Sequence, residues 1–269
     1  MITASILIPL VIWGIFALST AFFGLFLAVI ILIGAWEWSQ LVGLDTKKNQ
    51  ITFLVCFLVL LALSFLAYQL NVTIFILIIA CVWWLVAIKK IKAYRGETGI
   101  DPNKKVNYAI VGFLVLVPAW LAFIELHSKQ DIGALLVLYV MMLAWVADTG
   151  AYFAGRKWGK TKLALEVSPG KSREGVYGGL CATTLFAFFA AGWFDLNMLQ
   201  YFIFILLSIV VVTFSVVGDL TESLYKRIAQ KKDSGTLLPG HGGVLDRIDS
   251  LTAAAPVFAL GFVLVERFN

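Results

Sequence analysis

The chain has 269 residues, of which 61% are hydrophobic and only 14% charged, and its mean hydropathy is +0.93. A water-soluble domain carries about 25% charged residues, so this composition excludes a soluble domain, a disordered chain and a disulfide scaffold, and leaves an integral membrane protein. The net charge of +5 would otherwise invite a nucleic-acid partner, but the placement of the charges argues against nucleic acid.

Apolar runs bounded by charge or turn signals predict nine spans: 3–18, 20–40, 51–69, 72–89, 107–125, 132–154, 175–194, 198–219 and 250–266. Met1 to Trp36 holds no charged side chain, and the run far exceeds the apolar stretch of about 7–15 residues in a secretory signal. It reads as two mature spans parted at Ser19-Thr20, because one helix of that length would overshoot a bilayer core of about 30 Å nearly twofold. Glu37, between Trp36 and Trp38, reads as an interfacial anchor with no catalytic role. Cys56, Cys81 and Cys181 lie inside apolar runs without metal-ligand spacing and read as packing residues. The loop 89–106, with Gly96, Gly99 and Pro102, reads as an anchor and connector.

The positive-inside rule supports this layout. The loops after spans 2, 4, 6 and 8 hold every one of the 21 basic residues except Lys129 and Arg267. The expected protein is therefore all-α and polytopic, a single membrane domain over 1–269 with about nine transmembrane helices. Its N-terminus faces the cytoplasm and its C-terminus the opposite side. The excess of basic residues also favours contact with anionic membrane lipids.

The candidate site comes from two loops on that same side, 145–175 and 218–250. Asp148 follows an uncharged stretch from Ile132 to Ala147, and a carboxylate at that depth needs a counter-charge or a metal. Asp219 ends the apolar part of span 8. If the helix continues, Asp219, Glu222, Ser223 and Lys226 fall along one face. Gly240, Gly242 and Gly243 flank His241 and let the backbone approach a ligand closely. The N–H groups of such a turn, just before a helix, are expected to cradle an anion, with His241 donating to a phosphate oxygen. Asp246 and Asp249, at i and i+3, suit Mg²⁺, while Arg247 between them is placed to clamp a phosphate. Together these residues read as a metal–nucleotide phosphate site.

Residues 223–249 resemble the signature of the phosphatidate cytidylyltransferases, or CDP-diacylglycerol synthases. The matching positions are Ser223, Lys226-Arg227, Lys232-Asp233, Leu238-Pro239-Gly240-His241-Gly242-Gly243, Asp246-Arg247 and Asp249. A second stretch, Asp148-Thr149, Ala151-Tyr152-Phe153, Gly155, Gly159-Lys160 and Ser168-Pro169, matches another pattern of the family. Leu165 stands where the family often has Pro, and Gly170 and Ser172 where Lys and Thr are common, which weakens a specific role for the last two.

The resemblance implies transfer of CMP from CTP to phosphatidate with Mg²⁺, giving CDP-diacylglycerol and pyrophosphate, at the cytoplasmic face of a bacterial inner membrane. It implies that Asp219, Asp246 and Asp249 hold metal, with room for a second ion, and that Asp148 assists. Ser223, Lys226, Arg227, Lys232, Gly240, His241, Gly242, Gly243 and Arg247 would bind CTP, while Lys171 and Arg173 would attract the phosphatidate head group. Oligomeric state stays open, a homodimer among the options. A CTP-dependent lipid-alcohol kinase, an intramembrane aspartyl protease and a transporter are the rivals. The kinase would release CDP. The protease fits poorly because many cations would keep both acids ionised, and the transporter leaves the glycine turn unexplained.

Overall fold

The structure is a computed structural model that describes residues 2–96, 99–238, 240 and 242–267, with side chains from residue 7 to residue 265. Its helices are α1 (Ile2–Ala17), α2 (Thr20–Leu41), α3 (Lys47–Gln69), α4 (Thr73–Ala93), α5 (Lys105–His127), α6 (Gly133–Trp158), α7 (Arg173–Ala190), α8 (Met198–Ile228) and α9 (Leu245–Arg267). Each predicted span falls on one of them. Among the described residues, eight helices are long and apolar enough to cross a membrane, and α1 contributes a shorter apolar stretch, Leu7–Ala17. The fold is therefore all-α and polytopic. The break between the first two helices is held by His127, whose ring nitrogens pair with the Ile15 carbonyl at 2.9 Å and the Thr20 hydroxyl at 3.1 Å.

The helices outrun the apolar runs because backbone hydrogen bonding continues past the hydrophobic boundary wherever the polar residues tolerate it. The 31 residues of α8 span about 46 Å at about 1.5 Å per residue, well beyond a hydrocarbon core of about 30 Å. Its last turns, which carry Asp219 to Lys226, thus leave the membrane interior as an intact helix. The start of α8 is set by a capping box in which Asn197 and Gln200 exchange side chain-to-backbone bonds.

Loops on one side of the molecule touch each other throughout. Lys105 reaches Asp45 at 3.0 Å, Lys231 donates to the Gln40 carbonyl at 3.2 Å, and the Gly99 N–H donates to the Ile228 carbonyl at 2.9 Å. The basic loops are therefore one continuous face, as the alternation of charge predicted. The loop after α4 also packs against Glu166, which lies 3.0 Å from where a Gly96 Cβ would stand.

The centre of the bundle belongs to α5 and α9, whose apolar windows are 72% and 61% buried. Ala253, Ala254, Ala255 and Ala259 on α9 are fully enclosed, and their small side chains let neighbouring backbones come close. Two of the cysteines depart from expectation: Cys56 and Cys181 are exposed on the outer faces of α3 and α7, and only Cys81 is partly enclosed. An apolar run in a membrane has an outward face as well as a packed one, so apolarity alone does not assign packing.

One element was absent from the sequence reading. The segment between α6 and α7 forms a small antiparallel hairpin, β1 (Lys162–Ala164) and β2 (Ser168–Ser172).

Candidate active site

The hairpin is fastened at both ends. Glu174, in the first turn of α7, accepts the backbone N–H groups of Lys160 and Thr161, each at 3.1 Å. The Ser172 hydroxyl caps α7 by accepting the Gly175 N–H at 3.1 Å, a specific role that the sequence reading had discounted. Val167, at the bend, is buried against Leu220 and Leu224 of α8. These ties hold Lys171 over α8, where its ammonium pairs with the Asp219 carboxylate.

Close approach of α8 and α9 builds the next part. A Cβ on Gly218 would lie 2.6 Å from the Asp249 carbonyl oxygen, so glycine is needed where the two helices meet. This contact packs the α8 turn that carries Asp219 against the Asp249 backbone. The Ser223 hydroxyl, one turn along α8, donates to Asp219 at 3.3 Å; it orients this carboxylate. Asp148 and Lys171 open into a cavity of about 340 Å³ between α6, α7 and α8, lined also by Arg156, Tyr152 and Gly170. Along that wall α6 and α7 nearly touch, since a Cβ on Gly150 would stand 2.7 Å from Ala182 and one on Gly179 2.8 Å from the Ala147 carbonyl.

The motif turn is organised by Asp246. Its Oδ1 accepts from Lys226 Nζ at 2.7 Å. Its Oδ2 accepts the N–H and hydroxyl of Ser234, both at 2.9 Å, and the Gly243 N–H at 2.8 Å. Lys226 also pairs with Glu222 at 3.2 Å. Glu222 is 4% exposed, and apart from that ammonium its two oxygens have no hydrogen-bond partner among the described residues. As expected for a continuing helix, Asp219, Glu222, Ser223 and Lys226 share one face of α8.

Glu37 does not act as the predicted interfacial anchor. It is 3% exposed, and its carboxylate accepts the backbone N–H groups of Val244 at 3.0 Å and Leu245 at 2.8 Å. The expected anion cradle at the start of α9 is thereby corrected as well. The described N–H groups there, those of Gly243, Val244 and Leu245, are satisfied by the chain's own acids, Asp246 and Glu37. The signal for Glu37 was available: it is the first charged residue in the chain and sits within an apolar run, the criterion that singled out Asp148.

The remaining residues divide. Gly240 and Gly242 adopt φ of +72° and +80°, a left-handed backbone open to glycine and costly for side chains, and Leu238 closes the turn by donating to the Gly242 carbonyl at 2.9 Å. Pro239 and His241 lie outside the described residues. Arg173 and Arg247 are exposed at the starts of α7 and α9. Arg227 turns away from the acids: its Nε donates to the Val167 carbonyl at 3.1 Å. With Lys232, Lys231 and Tyr94 it lines a separate cleft of about 440 Å³. Neighbours on a helix diverge by about 100°, so adjacent Lys226 and Arg227 cannot serve one pocket equally.

Among the described residues no three Asp, Glu, His or Cys side chains converge as a finished metal cage. Asp219 instead pairs with Lys171, whose cavity Asp148 also lines, and Glu222 and Asp246 share Lys226. These carboxylates outnumber the two ammonium groups paired with them, which fits a cation. It fits Mg²⁺ in particular, which takes one or two carboxylates and fills its other positions with water and phosphate oxygens.

The fold and this site define a polytopic membrane protein with an acidic centre suited to phosphate chemistry, built where four helices and a hairpin meet the basic face. The sequence pattern of the cytidylyltransferase family matches residues 1–265, and the chain belongs to that family. It is 43% identical to a phosphatidate cytidylyltransferase of Pseudomonas aeruginosa over 96% of this chain and 94% of the relative. It is 38% identical to one of Haemophilus influenzae over 98% of both chains. A Thermotoga maritima relative of the same name is 33% identical over 98% of this chain and 96% of its own length.

Proposed function

We propose that this chain, a nucleotidyltransferase by family, moves CMP from CTP onto phosphatidate at the cytoplasmic face of a bacterial inner membrane. The observation that carries the reading is the Lys171–Asp219 pair at the cavity that Asp148 also lines, beside the turn held by Asp246 and Lys226. A lipid phosphate oxygen forms a bond to the α-phosphorus of CTP as the bond to the pyrophosphate oxygen breaks. The nucleophile is already ionised, so no strong base is required. What the protein must supply is proximity and stabilisation of charge on two polyanions.

Lys171, at the mouth of the cavity between α6, α7 and α8, would meet the phosphatidate phosphate, and Arg173 would draw the head group in from the surface. Lys226 would face the nucleotide phosphates together with Arg247 and His241, while Arg227 and Lys232 line the separate cleft. Asp219 and Asp249 are the residues best placed to hold Mg²⁺. Asp246 can add only its Oδ1, since three donors fill its Oδ2, and Asp148 would assist; a second ion would use the same acids. When bound, the metal neutralises phosphate charge and orients the reacting groups.

The test is to mix purified protein with CTP, Mg²⁺ and phosphatidate in detergent. CDP-diacylglycerol and pyrophosphate should appear in equal amounts, and EDTA should stop their formation. Release of CDP, or no use of CTP, would overturn the reading.

A further inference from the structure

The helix α2 belongs to neither segment of the sequence motif, yet its Glu37 accepts three hydrogen bonds from the motif turn. Both carboxylate oxygens are engaged: Oε1 by the Val244 N–H at 3.0 Å, and Oε2 by the Leu245 N–H at 2.8 Å and the Ser234 hydroxyl at 3.4 Å. The turn closes tightly over this group. A Cβ on Gly235 would stand 2.5 Å from Glu37 Oε1, and one on Gly243 would stand 2.6 Å from both oxygens. Two glycines of the segment are therefore required by an acid nearly 200 residues away in sequence, as the Ser234–Glu37 separation of 197 shows.

The consequence reaches the reacting groups through Asp246. Ser234 and Gly243, which border the Glu37 carboxylate, are the residues whose N–H groups fix Asp246 Oδ2, and Asp246 in turn holds Lys226. Negative charge at the positive end of α9 also offsets the helix dipole where the four first N–H groups lack intrahelical partners. We propose that Glu37 is a positioning residue: it clamps Ser234 and Gly235 to residues 243–245 so that Asp246 and Lys226 present one fixed arrangement to the nucleotide phosphates. This rests on the cytidylyl-transfer reading for its kinetic consequence, while the clamp itself is a structural claim with its own readout.

Glu37→Gln keeps the shape but leaves one oxygen to serve two N–H groups, with an NH₂ facing the other. Two measurements on the full-length protein in detergent separate the possibilities. Hydrogen exchange should quicken at least tenfold at the Val244 and Leu245 amides, while the amides of α5 stay unchanged. Pyrophosphate release should show a KM for CTP raised at least tenfold, with the KM for phosphatidate within twofold of the parent. Glu37→Asp, which keeps both acceptor oxygens, should recover part of the CTP affinity.

Unchanged exchange at 244 and 245 would overturn the clamp. Faster exchange with unchanged KM for CTP would overturn the positioning role, as would a loss of kcat that only tracks the folded fraction. If the parent protein itself does not use CTP, the functional reading fails and hydrogen exchange still decides the clamp. Should Glu37→Gln not fold, Gly235→Ala tests the same contact from the other side, since the atoms its methyl would meet first all belong to Glu37. It should raise the KM for CTP in the same way, and a KM within twofold of the parent would count against the proposal.

Discussion

Lys226 shows how one ammonium can serve two purposes. It lies between Glu222 at 3.2 Å and Asp246 at 2.7 Å, so removing the cation and removing either acid are unequal changes. Lys226→Met leaves two carboxylates without their shared partner, and breaking a buried ion pair in this way costs about 3–5 kcal/mol. Asp246→Asn leaves Lys226 paired with Glu222 and keeps an acceptor for Ser234 and Gly243, so its cost should stay near the 1–3 kcal/mol of a lost buried hydrogen-bond partner. In a thermal melt in detergent, Lys226→Met should therefore fall further than Asp246→Asn. Pyrophosphate release by Asp246→Asn should nevertheless be abolished while the protein stays folded, and near-normal turnover would sink the metal assignment. Much of this centre was legible from residue types alone: acids in an apolar chain stand out, and Asp219 does pair with Lys171 at the cavity that Asp148 lines. Arg227 and Glu37 were misjudged because sequence position says nothing about which way a side chain turns or which distant backbone it meets.

At the scale of elements, the hairpin and the α6–α7 contact decide where Lys171 stands. The two helices approach through Gly150, Gly178 and Gly179, and a Cβ on Gly178 would overlap that of Ala154. Gly178→Val should therefore push α7 and the hairpin outward, at an overpacking cost of about 1–3 kcal/mol. A lower melting temperature together with a raised KM for phosphatidate would show it, and an unchanged KM would separate the packing from the site. Among the described residues, the eight membrane-length helices were readable because apolar runs of about 20 residues can satisfy their backbone in a membrane only as helices. The hairpin was not. Its two strands carry no alternating pattern, and it is held by tertiary ties from Glu174, Ser172 and Val167 to α7 and α8.

For the whole molecule, the loops tied together at Asp45, Gly96, Gly99, Glu166 and Lys231 make one face, next to the acidic centre. The positive-inside distribution predicts that this face is cytoplasmic. With Cys56, Cys81 and Cys181 replaced by alanine, Lys104→Cys on this face, whose native side chain is 56% exposed, should react with an impermeant maleimide in inverted vesicles and not in intact spheroplasts. The opposite pattern would reverse the orientation. That arrangement would also give the site access to both a soluble nucleotide and a lipid, since the Asp148–Lys171 cavity lies at the helix ends and the outer faces of the same helices are apolar.

The sequence by itself determined the order of the helices, the clustering of basic residues in alternate loops and the acids and cations available for chemistry. These follow from hydrophobic transfer and from the cost of unpaired charge, which act on each segment without knowledge of the others. Only the tertiary structure decided which acids meet which cations, that the start of α9 is filled by Glu37 and Asp246, and that Arg227 faces a different cleft. Those outcomes depend on helix approach and rotation, and these are set by contacts such as Gly218 on the Asp249 backbone and Gly243 on Glu37, between residues far apart in the chain.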